Sequence, residues 1–463
     1  MGQPMTTKNL SSYRVLSIAL AALFCAAAAK AEPISVLFVG NSYTFARVDP
    51  VLSYNAANVR DLTQPQGPLR TQNTGTAPFS NVTGTNSYPV DPMTGLAAID
   101  PATGLRFESY SPHSQTQAWS GVAGIFKQMT VQAGLNYDVA LSTRNAASLR
   151  GHLLNSATSN WDLRGNIGSQ QWGQVVLQEQ SDEPLARQPG LGSNPERFRF
   201  YADKIENFVH SKATQTFRDL DAYAGANDIE RLANCVAATT ITTAANASNT
   251  CSLVRSVTNA NASASTELFL YQTWARPDLI YSPGAKTIDP ATGNATYNNT
   301  PQPSYFKDLE SMTEQLKTAY QGALENADND GTSGFKAVAP VGEAFLRAVT
   351  SGMATRDMYA ADAASDGLMD LWFNDGTDAS KYGSYLSALT LFGTLTGLDP
   401  QSLGFHEIAA RDLGISGHDA YSLQQIAALS LGLQKVPEPA SLALVLTGLG
   451  MLSFVSRRQK KPR

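Results

Sequence analysis

Cysteine is scarce in this sequence, with only three in 463 residues. Cys25 lies in an N-terminal segment that we expect to be removed on export, which leaves Cys235 and Cys251. An isolated pair in an oxidising compartment favours a disulfide over a metal site. We therefore expect a disulfide that closes a Thr/Ala/Asn-rich loop over about 235–251. We predict no metal and no cofactor.

Positive charge is sparse away from the two ends of the chain. The net charge is −5 and charged residues make up 16% of the chain, so no nucleic-acid partner is expected. The stretch Asn326 to Gly331 has the spacing of a calcium loop, but Ala337 stands where a bidentate glutamate is required. That stretch therefore predicts a polar turn. Apolar residues, at 43%, are ample for a core.

The N-terminus has the pattern of an export signal. Basic residues precede an apolar run over 15–29, and Ala29-Lys30-Ala31 is a small-x-small cleavage site. We therefore predict a signal peptide over 1–31 and a mature chain that begins at Glu32.

The C-terminus combines three features over 436–463. Val436-Pro437-Glu438-Pro439 is followed by an apolar run over 440–455 and a basic end. The run is marginal for a bilayer span, but the basic cluster supplies a cytoplasmic anchor. This tail resembles the PEP-CTERM sorting signal of Gram-negative bacteria, and the alternative is an ordinary single-pass tail. The resemblance implies an exosortase-type processing enzyme as partner, membrane contact before processing, and a destination at the cell surface, extracellular matrix or periplasm.

A serine follows the first apolar run of the mature chain. Ile34 to Val39 is β-branched and apolar, which is typical of a strand buried on both faces, and Gly40-Asn41 ends it. Asp49 as N-cap and Pro50 as first helical residue predict a helix. Ser42, between a strand and a helix, lies where open α/β sheets bind ligands. The alternative is a polar turn in which Ser42 only caps the next segment.

Four further short apolar runs alternate with helical patterns. They predict strands over 137–142, 174–180, 267–274 and 336–341. This alternation predicts an α/β fold, a flavodoxin-like three-layer α/β/α sandwich with a parallel sheet and long loop insertions. The longest insertion, about 63–120, is rich in Gly, Pro, Ser, Thr and Asn, and its Asp-Pro-x-Thr-Gly units predict β-turns.

The turn Gly40-Asn41-Ser42-Tyr43-Thr44 resembles the first sequence block of the SGNH (GDSL-like) hydrolases. The resemblance implies one hydrolase domain over 32–435, with Ser42 as nucleophile. It also implies that Asn41 takes part in oxyanion or substrate binding.

A second block, Leu177-Gln178-Glu179-Gln180-Ser181, is similar to a Leu-Gln-x-x-Ser form of the block in which SGNH enzymes place an oxyanion-binding Asn. The resemblance implies that the amide of Gln178 or Gln180 donates this hydrogen bond, and that Ser181 beside it takes part in oxyanion or substrate binding. A solvated polar cluster is the alternative.

The glycine that donates a backbone N–H in such enzymes is missing from Arg144-Asn145-Ala146-Ala147. Any residue other than proline has an N–H, so the donor is not assigned to one residue. His152, which follows shortly after, is a further candidate for substrate binding.

The last block should contain the general base. SGNH hydrolases end in Asp-x-x-His, and the segment Asp375 to Leu386 keeps the register of that block, but Asp378 stands at the histidine position. The resemblance implies that Asp375 and Asp378 fill the acid–base position. An aspartate with a pKa near 4 is a poor base for a serine, whereas imidazole near 6.5 is well suited. Burial or a neighbouring carboxylate would have to raise the aspartate pKa.

Otherwise a histidine from elsewhere in the chain is needed. The candidates are His113, His152, His210, His406 and His418. His113 and His152 fall in or before segments that lead to strand ends, whereas His210 is expected to be solvated on a surface helix. For any one of them a structural role is the simpler interpretation.

These patterns predict an exported, surface-directed serine hydrolase that acts on ester bonds. The destination suggests O-acyl groups of an extracellular polysaccharide as substrate. The alternative, favoured by Asp378, is a catalytically impaired SGNH-fold protein that binds glycan in the extracellular matrix. A third hypothesis is a structural matrix protein in which the fold is only a scaffold.

Overall fold

The computed structural model describes most of the chain between residues 32 and 433. The described residues are 2, 32–46, 50–63, 119–156, 162–239, 243–281, 286–288, 295–297, 304–327, 331–360, 362–363, 365–373 and 375–433. The expected signal peptide, sorting tail, most of the 63–120 insertion, Asp49 and His113 lie outside them. Among the described residues no helix combines the length and apolar character needed to cross a bilayer.

Ten strands are present in the described residues. They are β1 (Ile34–Gly40), β2 (Arg60–Asp61), β3 (Tyr137–Thr143), β4 (Gln174–Gln178), β5 (Gln215–Phe217), β6 (Arg255–Val257), β7 (Glu267–Tyr271), β8 (Lys286–Ile288), β9 (Ala295–Tyr297) and β10 (Ala337–Ala339). Six of them form one sheet in the order β10-β7-β4-β1-β3-β2, and every pairing in it is parallel. The other four form two small antiparallel hairpins.

The five strands predicted from the sequence are all found in this sheet. Without the two-residue edge strand β2, their order is that of a flavodoxin-like sheet, and β1 lies between β3 and β4. The chain reverses its direction of winding at β1, which makes the carboxyl end of β1 the switch point of the sheet. The fold class predicted from the sequence is therefore confirmed.

Twelve α-helices accompany the strands in the described residues. They are α1 (Ser42–Phe45), α2 (Gly121–Gln132), α3 (Leu149–Leu154), α4 (Leu163–Ile167), α5 (Pro195–His210), α6 (Asp228–Ala238), α7 (Ala244–Ser252), α8 (Leu309–Ala327), α9 (Val341–Thr350), α10 (Lys381–Thr396), α11 (Ile408–Asp412) and α12 (Gly417–Ser430). Short 3-10 helices occur at Ala56–Asn58, Asp219–Ala222, Pro277–Leu279 and Pro400–Leu403.

The helices cover both faces of the sheet. On one side α2 packs against α10, with α12 outside α10, and on the other α5 packs against α3 and α8. Because α10 lies between other elements, nearly all of its residues are buried, including polar Ser384 and Ser387. Strand β1 is equally enclosed, since Val36 through Val39 have no exposed surface and Phe38 packs edge-on to Phe126 at 5.3 Å.

The prediction of a helix that begins at Pro50 is wrong. Residues 50–55 form turns, and only the short 3-10 helix Ala56–Asn58 follows before β2. The apolar residues that suggested a helix, Val51 and Leu52, are buried nonetheless. Leu52 reaches α2 through the backbone, because its carbonyl oxygen accepts the Ser120 N–H at 2.9 Å. Tertiary packing of this segment thus replaces local helical structure.

A small lobe protrudes between α5 and β7. It contains α6, α7 and the β5–β6 hairpin, and a disulfide joins Cys235 to Cys251. The apolar cluster of this lobe is small, with Leu220 and Tyr223 packed beside the two cysteines. The segment predicted as a loop is therefore largely helical. A covalent link suits a unit with so little apolar surface to bury.

Candidate functional site at the carboxyl edge of the sheet

Ser42 begins α1 directly after β1, at the switch point of the sheet. Asn41 caps this short helix, because its side-chain oxygen accepts the Tyr43 N–H at 3.1 Å. The Ser42 side chain is partly exposed, and neither its hydroxyl nor its backbone N–H is hydrogen-bonded to another described residue. A hydroxyl that is held in place but unpaired is suited to attack a substrate.

A buried amide fixes the turn that contains Ser42. The side-chain oxygen of Gln178, at the end of β4, accepts the Asn41 N–H at 2.9 Å and the Thr44 hydroxyl at 2.9 Å. Gly40 passes so close that a Cβ there would overlap both Gln178 Oε1 and Thr44 Oγ1. Glycine is therefore required at position 40 for steric reasons, and the Gly-Asn-Ser turn is tied directly to the neighbouring strand.

This network also occupies the groups predicted to bind an oxyanion. The Gln178 amide nitrogen donates to the Glu179 carbonyl and the side chain has no exposed surface. The oxygen of Gln180 accepts the Asp182 and Glu183 N–H groups at 3.0 and 3.1 Å, while its nitrogen contacts Ser181 Oγ at 3.4 Å. Both amides thus have structural partners, and an oxyanion role for either stays a prediction.

The turn after β3 lies beside the Ser42 turn. The Asn41 amide nitrogen donates to the Ala147 carbonyl at 3.0 Å, and the Arg144 N–H donates to the Gly40 carbonyl at 3.2 Å. Ala146 has a φ of 53°, in the left-handed region that favours glycine. The chain thus keeps, at Ala146, a backbone conformation that glycine would adopt more easily. The N–H groups of Asn145 and Ala146 make no hydrogen bond to another described residue, which leaves them as candidate oxyanion donors.

The segment after β7 brings an ion pair to the same edge. Arg276, after β7, binds Asp278 through two nitrogens at 3.0 and 2.6 Å and donates to Ser181 Oγ at 2.9 Å. Burial raises the pKa of Asp278, the Arg276 guanidinium opposes this rise, and the Asp375 carboxylate adds to it. Neither Arg276 nor Asp278 was selected from the sequence. Their position directly after a predicted strand was the available signal.

The predicted acid–base residues lie in one compact turn. Asp375 Oδ1 accepts the N–H groups of Thr377 and Asp378 at 2.9 and 2.8 Å, and Gly376 between them has a φ of 68°. The Asp378 side chain is buried, with 2% of the residue exposed. Asp375 is therefore partly engaged in holding the turn together.

The acidic turn is close enough to Tyr43, the residue that follows Ser42, for the Asp378 carboxylate to influence its hydroxyl. Burial raises the pKa of the Tyr43 hydroxyl well above its usual value of 10; the Arg276 guanidinium opposes that rise, whereas the Asp378 carboxylate adds to it. The structure thus brings the segments of Ser42, Ser181, Asp375 and Asp378 to one edge of the sheet. Groups of His, Cys, Asp and Glu arranged to hold a metal ion are absent from the described residues.

His152 is buried behind the Ser42 turn. Its Nε2 lies 3.0 Å from the Gly40 carbonyl, which can only accept, so Nε2 carries the proton. Burial lowers the pKa of His152 to about 4, the bond to Gly40 opposes this, and the charge of Arg144 adds to it. His152 is therefore neutral at pH 7, and its Nδ1 has no hydrogen-bond partner among the described residues.

The other described histidines lie away from this edge. His210 is buried, not solvated as the sequence predicted, because it packs at the opposite end of the sheet between Glu206 and the Thr266 carbonyl. His406 and His418 are exposed near α11 and α12. Among described histidines, His152 is the one with a hydrogen bond to the Gly40-Asn41-Ser42 turn.

Comparison with known proteins gives few matches. No family model and no curated protein matches the sequence. Two solved structures are similar: a candidate SGNH hydrolase from Slackia heliotrinireducens, with a TM-score of 0.31, and a DUF4886 family protein from Bacteroides uniformis, with a TM-score of 0.32. Each is 12% identical; the first covers 78% of this chain and 99% of its own, and the second 87% and 97%. At these scores neither match carries an argument about function.

Proposed function

We propose that this chain is an exported, SGNH-type serine hydrolase that acts on ester bonds through Ser42. The observation that carries the proposal is the state of Ser42 at the switch point of the sheet. Its hydroxyl is partly exposed and has no hydrogen bond to a described residue, while the turn around it is fixed by Asn41, Thr44 and Gln178. Covalent acyl transfer requires a positioned, accessible nucleophile with a base within reach, and the fixed turn with its partly exposed hydroxyl supplies the first of these.

In the proposed reaction Ser42 Oγ attacks an acyl carbonyl, the ester C–O bond breaks, and the alcohol leaves with the proton that the base took from Ser42. Water then hydrolyses the acyl-enzyme, which releases the acid and restores Ser42. The oxyanion is stabilised by backbone N–H groups, with the Ser42 N–H and the turn around Ala146 as the available donors. Donors of this kind remain fixed throughout the reaction, because β1 and β3 hold both turns.

The proton of Ser42 must pass to a base. We assign this position to Asp378 with Asp375, as the SGNH resemblance implies. A buried carboxylate is a stronger base than an exposed one, since burial disfavours its charged form. His152 is the alternative base; its hydrogen bond to Gly40 holds the ring behind the turn, so it would have to rotate to reach Ser42.

The destination and the substrate are proposed from the sequence. The N-terminal signal and the Pro-Glu-Pro tail support export and processing by an exosortase-type enzyme. A surface or matrix destination supports O-acyl groups of an extracellular polysaccharide as the substrate.

The test is labelling and turnover of the purified chain. A fluorophosphonate probe and p-nitrophenyl acetate should both react with the wild type, and Ser42→Ala should reduce both by at least about 10³-fold. Ser256→Ala is the control, because Ser256 is an exposed serine on β6, outside the candidate site. It should keep the labelling. Labelling that persists in Ser42→Ala would refute Ser42 as nucleophile.

The second candidate function is glycan binding without turnover, and the aspartate at position 378 favours it. In that case the wild type would remain unlabelled and Asp378→His, which restores an imidazole, would gain both labelling and turnover. Retention of the wild type on an immobilised acylated polysaccharide would then define the function.

A further inference from the structure

Four aromatic rings run from the Ser42 turn to the acidic turn. Tyr43 stacks on Trp274 with ring centroids 4.0 Å apart, and Trp274 stacks on Phe345 at 4.7 Å, with interplanar angles of 10° and 4°. Phe345 then packs edge-on to Trp372 at 5.9 Å. All four residues are at most 3% exposed, so this column of rings is part of the core.

Trp274 is the member of the column that contacts both turns. One face of its ring covers Tyr43, the residue directly after Ser42, and its indole N–H donates to the Thr377 carbonyl at 2.9 Å. Thr377 lies between Asp375 and Asp378 in the acidic turn. One rigid side chain therefore spans the distance between the nucleophile turn and the acid–base turn.

The acidic turn is closed by hydrogen bonds between its own residues and the segment before it. Asp375 Oδ1 bonds the Thr377 and Asp378 N–H groups, and the Phe373 N–H donates to the Asp378 carbonyl, so these bonds close the turn on itself. They fix the internal shape of the turn but not its place relative to Ser42. The bond from Trp274 supplies that second kind of restraint.

We propose that Trp274 is a positioning residue, which sets the distance between Ser42 and the carboxylates of Asp375 and Asp378. The catalytic part of this proposal rests on the proposed function, whereas the restraint on the acidic turn is a property of the fold. Catalysis is sensitive to such placement, because a shift of about 1 Å in a reacting group can cost about 100-fold in rate.

Trp372 provides a matched control. It belongs to the same column, is 3% exposed, and its indole N–H donates to a backbone carbonyl, that of Ala275, at 3.0 Å. Trp274→Phe and Trp372→Phe therefore each remove one indole hydrogen bond and a similar volume from one cluster. The Trp274 bond ends on Thr377 inside the acidic turn, whereas the Trp372 bond joins Ala275 to the segment before the turn, which pairs with Ala379.

Two measurements on the full chain test the proposal, under conditions where both variants are folded. Amide hydrogen exchange at Thr377 and Asp378 should become at least about 10-fold faster in Trp274→Phe and change by less than about 3-fold in Trp372→Phe. For p-nitrophenyl acetate, kcat should fall by about 10-fold or more in Trp274→Phe while KM stays within about 2-fold. A merely structural role would lower the active fraction equally in both variants.

The outcomes separate this inference from the proposed function. If the two variants exchange equally at Thr377 and Asp378, the positioning role is refuted whether or not the protein is an enzyme. If the wild type lacks turnover but Trp274→Phe alone loosens the turn, the restraint holds and the hydrolase proposal fails. If the turn loosens and kcat is unchanged, the placement of these carboxylates does not matter for the reaction, and the catalytic part of the inference is overturned.

Discussion

Two buried glutamates at opposite edges of the sheet differ in how completely their carboxylates are paired. Glu206, near the amino edge, accepts the Gly334 N–H at 2.9 Å and the Thr332 hydroxyl at 2.6 Å, and it also bonds His210 Nδ1. Glu179, after β4 at the carboxyl edge, is 1% exposed. Its Oε1 accepts two N–H groups, whereas its Oε2 has no hydrogen-bond partner among the described residues.

The neighbours of the two glutamates show the same contrast. The second ring nitrogen of His210 donates to the Thr266 carbonyl at 2.8 Å. The amino-edge cluster is therefore closed, in the sense that both carboxylate oxygens of Glu206 and both ring nitrogens of His210 have hydrogen-bond partners. At the carboxyl edge both amide atoms of the fully buried Gln272 lack a partner within the described chain. The Ser42 hydroxyl likewise makes no hydrogen bond to another described residue.

This difference indicates where the fold leaves buried polar groups without hydrogen bonds. Buried polar groups are normally satisfied, because an unmade hydrogen bond costs about 1–3 kcal/mol. The Glu206 cluster is closed, whereas Glu179 and Gln272 carry this cost at the carboxyl edge, where ligands bind in open α/β folds.

The largest effect is expected from breaking the closed edge. Glu206→Gln should lower the free energy of unfolding by about 3–5 kcal/mol, because an amide NH₂ replaces one of two buried carboxylate oxygens that accept from Gly334 and Thr332, and it breaks the buried pair with His210. Glu179→Gln should change it by less than about 1 kcal/mol at pH 7. Burial, with a contribution from the Glu183 charge, raises the pKa of Glu179 well above its usual range, so the charged form is disfavoured there and a neutral amide costs less than in the closed cluster.

Urea unfolding at one pH measures both variants. The slope with urea should stay constant, which shows that the surface exposed on unfolding is unchanged. Equal losses in the two variants would mean that the pairing of a carboxylate does not distinguish the edges.

A second prediction uses the pH dependence of the carboxyl edge. The pKa of His152 is about 4 in the folded protein and about 6.5 in an unfolded chain. Between these values the unfolded state takes up a proton that the native state does not, so stability falls as the pH falls from 6.5 to 4. The full contribution is about 3 kcal/mol, at about 1.4 kcal/mol for each pH unit.

His152→Gln removes this contribution and keeps an amide N–H that can donate to the Gly40 carbonyl. The difference in unfolding free energy between wild type and variant should therefore change by about 3 kcal/mol from pH 6.5 to 4. Exposed His406, changed to Gln, serves as the control. A flat difference for His152→Gln would show that the histidine already titrates near its ordinary pKa.

The sequence predicted the parts of this contrast that local pattern determines. The five short apolar runs became parallel strands, since a run buried on both faces has little choice of structure. The helix at Pro50 failed because the burial of Val51 and Leu52 depends on contacts with α2, which is about 70 residues away along the chain.

The candidate site could be predicted from the sequence only in part, for the same reason. Gln178 was selected by resemblance as a donor to substrate, but the structure engages its amide with Asn41, Thr44 and Glu179. The partner of a buried amide depends on the neighbouring strand, which no single segment specifies. Arg276 and Trp274 were missed because many polar and aromatic residues follow the predicted strands, and the sequence does not show which of them are in contact in the fold.

The smallest effect should come from one bond of the Ser42 turn. Thr44→Val replaces a buried hydroxyl by a methyl of similar size, and removes the donor that lies 2.9 Å from Gln178 Oε1. The same oxygen still accepts the Asn41 N–H at 2.9 Å, so no buried acceptor is left unpaired. The expected loss is about 1 kcal/mol, the net value of one neutral hydrogen bond, measured by urea unfolding.

Thr44→Ser is the control, because it keeps the hydroxyl and loses only a methyl. A loss above about 3 kcal/mol in Thr44→Val would contradict the argument. It would mean that the two donors act as one unit, and that removing either lets the Gly40-Asn41-Ser42 turn separate from β4. The stability of the carboxyl edge would then depend on its few hydrogen bonds as strongly as that of the amino edge depends on Glu206. The two edges would differ only in the buried polar groups that lack hydrogen bonds.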